Sequence, residues 1–134
     1  MGVIAEEAHR LGVPHWGVLP RFMEEFVYDR LTNLEWVETM AVRKERMREG
    51  TCVAIALPGG IGTMDELVET HVLAKLGQYS GKILVLDLDG FYRPYRELLD
   101  HYVATGMMTP EDAALVTFVT TTEELSRELS KIEV

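Results

Sequence analysis

The sequence contains a single cysteine, Cys52, and four histidines that show no metal-ligand spacing. One cysteine cannot form an intramolecular disulfide, which is consistent with a reducing compartment, and we expect a cytoplasmic protein. Because Cys52 lies in the apolar run CVAIAL, we expect it to be a small buried residue. We predict no metal site and no cofactor.

Basic residues and long apolar runs are also scarce. The 134 residues include 13 lysines and arginines against 22 aspartates and glutamates, a formal net charge of −9. A surface this acidic disfavours nonspecific binding of nucleic acids or anionic membranes. No run of 18 apolar residues is present, and the N-terminal MGVIAEEAHRLG lacks the basic-then-apolar order of a signal peptide. We therefore expect no nucleic-acid partner, no membrane association and no signal peptide.

The apolar patterns predict alternating strands and helices. Predicted strands are HWGVLP and residues 52–57, 82–88 and 115–120, of which the last three are continuous apolar runs typical of buried parallel strands. Predicted helices cover residues 3–11, 36–49, 63–76, 94–105 and 123–132, with a helical turn at Thr109-Pro110 and a loop over 21–35. We predict an α/β fold, a three-layer Rossmann-like, mainly parallel sheet with helices on both faces, forming one domain over residues 1–134.

The beginning of the chain departs from that fold class. Doubly wound folds usually open on a strand that feeds a glycine-rich turn, whereas this chain opens on a predicted helix. We therefore expect an N-terminally shortened version of the fold.

Residues 57–66 read LPGGIGTMDE and directly follow a predicted strand. Thr63-x-x-Glu66 has the spacing of a capping box, in which each side chain binds a backbone N–H at the start of a helix. Thr121-x-x-Glu124 repeats this spacing before the last helix, where no chemistry is indicated. The box by itself therefore leaves a structural and a functional interpretation open.

Three glycines favour the functional interpretation. Gly59, Gly60 and Gly62 lie close together although a capping box needs none, and glycine is less favourable than alanine by roughly 0.5–1 kcal/mol in a regular element. Between a parallel strand and a helix, such glycines indicate a backbone that turns sharply and lets a phosphate come close. Because no lysine follows them, the pattern is not a nucleoside-triphosphate P-loop, and a monophosphate fits better.

The preceding helix, VETMAVRKERM, supplies candidate cations. The basic residues of the predicted helix 36–49 are typical of a solvated face: Arg43, Lys44, Arg46 and Arg48. However, Met40 and Arg43 share one side of the predicted helix at i, i+3, so Arg43 could be carried towards the glycines. The charge pattern leaves both possibilities open.

Two of these segments form a recognisable pair. Met40-Ala41-Val42-Arg43-Lys44, followed by Pro58-Gly59-Gly60-Ile61-Gly62-Thr63-Met64-Asp65-Glu66, resembles the signature of the LONELY GUY family, nucleoside 5′-monophosphate phosphoribohydrolases long mislabelled as lysine decarboxylases. The segments GVLP, VETM, AKLGQY and DGFY are also similar to family segments, so the resemblance covers nearly the whole chain.

The resemblance implies hydrolysis of the N-glycosidic bond of AMP or a cytokinin riboside 5′-monophosphate, giving free base and ribose 5-phosphate. It implies that Arg43 and Glu66 are catalytic. Further substrate or phosphate contacts would be Met40, Lys44, Pro58, Gly59, Gly60, Gly62 and Thr63. Such a reaction develops positive charge on the ribose, which a carboxylate ~4 Å away would stabilise by roughly 4 kcal/mol at an effective dielectric of 20. The family further implies a homodimer or higher homo-oligomer.

Two departures from the family pattern affect these expectations. Ala41 stands where the family often has histidine, and Met1-Gly2 resembles the end of a glycine-rich turn that follows a strand-helix-strand unit in relatives. If that unit is missing, the alternative is a catalytically impaired nucleotide-monophosphate binding module or a fragment that acts as an oligomer. Neither Lys75 nor Lys82 has the context of a Schiff-base lysine, which argues against pyridoxal-phosphate chemistry.

The sequence LDLDG offers one further pair of acids. Asp87 and Asp89 follow a predicted strand, where they could bind Mg²⁺ or simply end the strand in a turn. We favour the turn.

Overall fold

The computed structural model describes residues 2–132, which divide into two compact units at Glu49/Gly50. The three strand pairings found in this range are all parallel. The first unit contains α1 (Gly2–Arg10), β1 (Trp16–Pro20), a 3₁₀ helix (Arg21–Phe26), β2 (Asn33–Val37) and α2 (Met40–Arg48). Its strands β1 and β2 pair with each other, with Trp16 opposite Asn33.

The second unit carries a sheet of three strands in the order β3-β4-β5, so that β4 is central. Its elements are β3 (Val53–Ala56), α3 (Ile61–Lys75), β4 (Lys82–Leu86), a 3₁₀ turn (Leu88–Gly90), α4 (Arg93–Ala104), α5 (Pro110–Ala113), β5 (Val116–Val119) and α6 (Thr122–Leu129).

The central strand is buried on both faces. Ile83 and Val85 belong to a core cluster that also contains Leu67 of α3 and Leu99 of α4. Leu84, which points to the opposite face because strand side chains alternate, is fully buried, and α6 packs against β4 and β5. Parallel strands flanked by helices confirm the predicted α/β class, whereas the one-domain organisation stays a prediction.

The prediction for residues 21–39 is wrong. A 3₁₀ helix and strand β2 replace the expected loop, and α2 begins at Met40 rather than near Trp36. Strand β2 forms because β1 supplies its hydrogen-bond partner, a nonlocal pairing that local periodicity does not report. The helix begins late because the Thr39 side chain caps it, its Oγ accepting from the Val42 N–H at 3.2 Å.

Other boundaries agree closely with the sequence prediction. The helix ends predicted at Gly12 and Gly106 are confirmed, and both glycines have left-handed φ values, of 67° and 75°. The buried position expected for Cys52 is wrong, since this residue is exposed just before β3 begins. Gly2 is the first residue of α1, and Met1 lies outside the described residues.

Candidate active site

Helix α3 begins at Ile61 with Gly60 as its N-cap, earlier than the sequence predicted. Thr63 therefore lies inside the first turn rather than at the N-cap, so the capping-box interpretation, one of the two left open, does not fit the observed start of the helix. The N-cap residue Gly60 has no side chain, so it makes no side-chain cap bond to this helix. The first backbone hydrogen bond runs from the Met64 N–H to the Gly60 carbonyl at 3.2 Å, so the preceding amides of the first turn have no acceptor within the helix.

The same spacing does produce a cap at α6. Thr121 is the N-cap there, and its Oγ accepts from the Glu124 N–H at 3.1 Å. The Glu124 carboxylate accepts from the Thr120 N–H at 2.7 Å, and this bond lowers the pKa of Glu124. Capping therefore explains Thr121 and Glu124 but does not explain why threonine and glutamate follow the glycines of α3.

We call residues 58–62 the glycine loop. A side chain would lack room at Gly59, whereas the backbone at Gly60 and Gly62 faces open space. The left-handed φ values found among the described residues do not include Gly59, Gly60 or Gly62. A Cβ atom on Gly59 would clash with the Thr63 side chain, which folds back over this glycine. At Gly60 and Gly62, no heavy atom of the described chain lies within 4 Å of an added Cβ. The turn between β3 and α3 uses no left-handed glycine, and its backbone at Gly60 and Gly62 is open to approach, as expected from the sequence.

Glu66 lies on the same side of α3 as this open approach. It follows Gly62 by four residues, the spacing that places two side chains one above the other on a helix. Its side chain is half-buried. The N-terminal end of α3 therefore carries the open glycines, Thr63 and Glu66 within two turns of the helix.

The glycine loop is attached to the body of its unit through Tyr92. The Tyr92 hydroxyl donates to the Leu57 carbonyl at 2.5 Å, and the Tyr92 N–H donates to Asp87 Oδ1 at 2.6 Å. Burial raises the pKa of Tyr92. The strand-ending turn favoured for Asp87 and Asp89 is confirmed, because a 3₁₀ turn follows β4 and Asp89 has a φ of 52°.

Sequence reasoning did not assign a role to Tyr92. The segment DGFY could have indicated such a role, but it was noted only for its family similarity. Its tyrosine follows a strand-ending Asp-Gly turn by two residues, and so lies where the carboxyl ends of parallel strands meet.

The cationic candidates belong to the first unit. Arg43 is half-buried, and its Nε donates to the Val18 carbonyl of β1 at 2.9 Å. Arg46 is instead an exposed residue that pairs with Glu35 at 2.7 Å and also with Glu49, and the Glu35 hydrogen bond raises the pKa of Arg46. The solvated-face interpretation therefore suits Arg46 and does not suit Arg43.

Met40 and Lys44, the remaining candidates on α2, are both half-buried. Across residues 2–132, no group of three or more His, Cys, Asp or Glu side chains could hold a metal ion. Within the same range, no helix is long and apolar enough to cross a membrane.

Comparisons with known proteins agree with the pattern of these residues. A family described as possible lysine decarboxylase matches residues 1–129. The chain is 30% identical over 133 residues to the probable cytokinin riboside 5′-monophosphate phosphoribohydrolase LOGL2 of Oryza sativa subsp. japonica, covering 98% of this chain and 54% of that protein. It is 30% identical over 135 residues to the cytokinin riboside 5′-monophosphate phosphoribohydrolase LOG7 of Arabidopsis thaliana, covering 99% of this chain and 62% of that protein.

The chain thus spans between 54% and 62% of the length of these two relatives. The match nevertheless includes both segments of the paired signature, which lie within residues 1–129. On these grounds the chain belongs to the LONELY GUY family, whose family description still reads possible lysine decarboxylase.

Proposed function

We propose that this protein hydrolyses the N-glycosidic bond of an adenosine-type nucleoside 5′-monophosphate, AMP or a cytokinin riboside 5′-monophosphate, to free base and ribose 5-phosphate. The observation that carries the proposal is the start of α3. A helix start with glycine as the N-cap, open space at Gly60 and Gly62, and Glu66 four residues after Gly62 would together form an anion site next to a carboxylate.

The phosphate would bind to the first turn of α3. Backbone N–H groups of the glycine loop and of Thr63 point towards such a ligand, and the helix dipole favours negative charge there. The Thr63 hydroxyl adds a donor beside Gly59. Pro58, which has no N–H, contributes only to the shape of the loop. This local site must attract an anion against a net charge of −9, so the backbone amides have to supply favourable interactions that outweigh the global charge.

Glu66 would act at the sugar. As the bond between C1′ and the base nitrogen breaks, positive charge develops on the ribose, and the carboxylate stabilises it and orients the attacking water. The water oxygen bonds to C1′ and keeps one proton as the new hydroxyl group. The other proton ends on the nitrogen of the departing base. This role requires an ionised carboxylate.

The family signature is the reason for including three residues of α2 as substrate contacts: Met40, Arg43 and Lys44. Within the first unit, the hydrogen bond to Val18 fixes the Arg43 guanidinium, which is the pre-organisation that a substrate-positioning arginine needs. We further propose one domain, a homodimer or higher homo-oligomer, a cytoplasmic location and a part in cytokinin biosynthesis. Light scattering of the purified protein tests the oligomer.

A lysine decarboxylase is not favoured. A Schiff-base lysine needs a desolvated amine, whereas Lys75 and Lys82 are exposed, and Lys75 Nζ lies 2.9 Å from an Asp112 oxygen. Lysine and pyridoxal phosphate should give no carbon dioxide with this protein.

The direct test is incubation of the folded protein with AMP and with N6-isopentenyl-AMP, followed by chromatography for free base and ribose 5-phosphate. We expect equal amounts of both products from at least one substrate. Absence of base from both would overturn the proposed hydrolysis. If AMP then still raised the melting temperature, the protein would be a nucleotide-monophosphate binding module.

A further inference from the structure

We propose that Tyr92 is a positioning residue whose hydroxyl, by holding the Leu57 carbonyl, sets the geometry of the glycine loop. The inference rests on the proposed function for the identity of the ligand, and it adds a residue outside the family signature. Its basis is a set of hydrogen bonds that links the central strand to the loop.

The first part is the contact itself. Tyr92 is only 2% exposed, and its hydroxyl donates to the Leu57 carbonyl at 2.5 Å. The last residue pair of the β3–β4 ladder is Ala56 with Val85, so Leu57 follows the end of the ladder. The Tyr92 hydroxyl thus holds the backbone at Leu57, one residue after the hydrogen-bonded ladder ends.

The second part is what holds Tyr92. Its N–H donates to Asp87 Oδ1 at 2.6 Å, and Asp87 is itself 5% exposed. The Asp87 N–H donates to the Val119 carbonyl at 2.7 Å, and Arg96 Nη2 lies 3.7 Å from the Asp87 carboxylate. Tyr92 is therefore fixed to the buried carboxyl ends of β4 and β5.

The third part is how the Leu57 carbonyl affects the loop. It belongs to the peptide that joins Leu57 to Pro58, and a planar peptide followed by a proline with fixed φ leaves little freedom before Gly59. The glycines themselves have no side chains to hold them. The orientation of this peptide therefore sets the directions of the loop N–H groups, and phosphate binding depends on those directions.

A buried tyrosine hydroxyl could also serve the core alone, and Tyr95 provides the matched control. It lies one helical turn later on α4 and is 7% exposed. Its hydroxyl meets His71 Nδ1 at 3.2 Å, while His71 Nε2 bonds to the Asp112 carbonyl at 2.7 Å. Tyr95→Phe removes a buried hydroxyl that has no bond to the glycine loop.

The experiment compares Tyr92→Phe and Tyr95→Phe with the wild type. Amide chemical shifts and hydrogen-exchange rates are measured by NMR for residues 59–63, and KM and kcat are measured with AMP. Loss of one hydrogen bond corresponds to a change of roughly three- to tenfold. In Tyr92→Phe we expect the loop amide chemical shifts to change and amide hydrogen exchange to become roughly three- to tenfold faster. The KM for AMP should rise by a similar factor, and kcat should change less. Tyr95→Phe should leave all four unchanged.

Unchanged loop amides in Tyr92→Phe, or equal changes in both variants, would overturn the inference. A changed kcat with an unchanged KM would do the same, because the hydroxyl would then act on the chemical step rather than on phosphate binding. If the wild type released no base, the NMR comparison would still decide whether Tyr92 positions the loop, and only the proposed function would fail.

Discussion

Replacing Gly62 by alanine should make the protein more stable and a poorer binder of nucleotide. Gly62 lies in the first turn of α3, its φ is not left-handed, and no described atom lies within 4 Å of an added Cβ. Alanine is favoured over glycine in a helix by about 0.5–1 kcal/mol, and the lower value applies near a helix end. We therefore expect the free energy of unfolding to rise by about 0.5 kcal/mol, which raises the melting temperature by on the order of 1–2 °C.

The same methyl group should hinder the ligand. It enters the open space at the first turn, four residues before Glu66, where the proposed phosphate would approach the backbone. A loss of about 1.4 kcal/mol corresponds to tenfold weaker binding, and we expect at least this increase in the dissociation constant for AMP.

The assay is thermal unfolding together with isothermal titration of AMP. Gly59→Ala is the contrasting variant: its Cβ would clash with Thr63, so it should lower the melting temperature as well as the affinity. If Gly62→Ala bound AMP as tightly as the wild type, the open space would have no part in phosphate binding. If Gly62→Ala were less stable than the wild type, the conclusion that an added Cβ fits at Gly62 without a clash would be wrong.

Two predictions concern stability alone. Thr121→Ala should lower the free energy of unfolding by about 1 kcal/mol in urea titrations, because Thr121 caps α6, and an equal loss in Thr63→Ala would show that Thr63 caps after all. Burial raises the pKa of Tyr95 from its ordinary value of 10.0 to about 12, so the folded state retains this proton longer than the unfolded state. The stability that this provides is complete below pH 10 and is lost as the pH rises towards 12. Denaturation by urea at pH 9 to 12 should therefore show a smaller alkaline loss in Tyr95→Phe than in the wild type, and identical losses would refute the assignment.

The second unit was the more predictable part of the fold. Its strands lie in predominantly apolar runs, and its two longest helices, α3 and α4, are followed by glycines, so local pattern and tertiary burial agree. Strand β2 was not predictable in the same way. Only its last residue, Val37, is buried, and the extended conformation depends on pairing with β1, which lies earlier in the chain.

The candidate site was predictable as a set of residues but not as a geometry. The spacing of Thr63 and Glu66 equals that of Thr121 and Glu124, yet only the second pair forms a cap, because Gly60 takes the N-cap position of α3. The role of Tyr92 depends on a hydrogen bond to Leu57 between residues far apart in sequence. Sequence spacing therefore identifies the groups, and packing decides what each of them contacts.

The most direct test of the account compares Glu66→Gln with the wild type in the release of base from AMP. The substitution keeps the size of the side chain and removes its charge, so the proposed phosphate site is preserved. We expect the wild type to produce free base and ribose 5-phosphate in equal amounts. The variant should still bind AMP but turn over at least ~10²-fold more slowly, the scale typical of losing one electrostatic stabiliser. Turnover by Glu66→Gln close to that of the wild type would contradict the central claim that this carboxylate performs the chemistry.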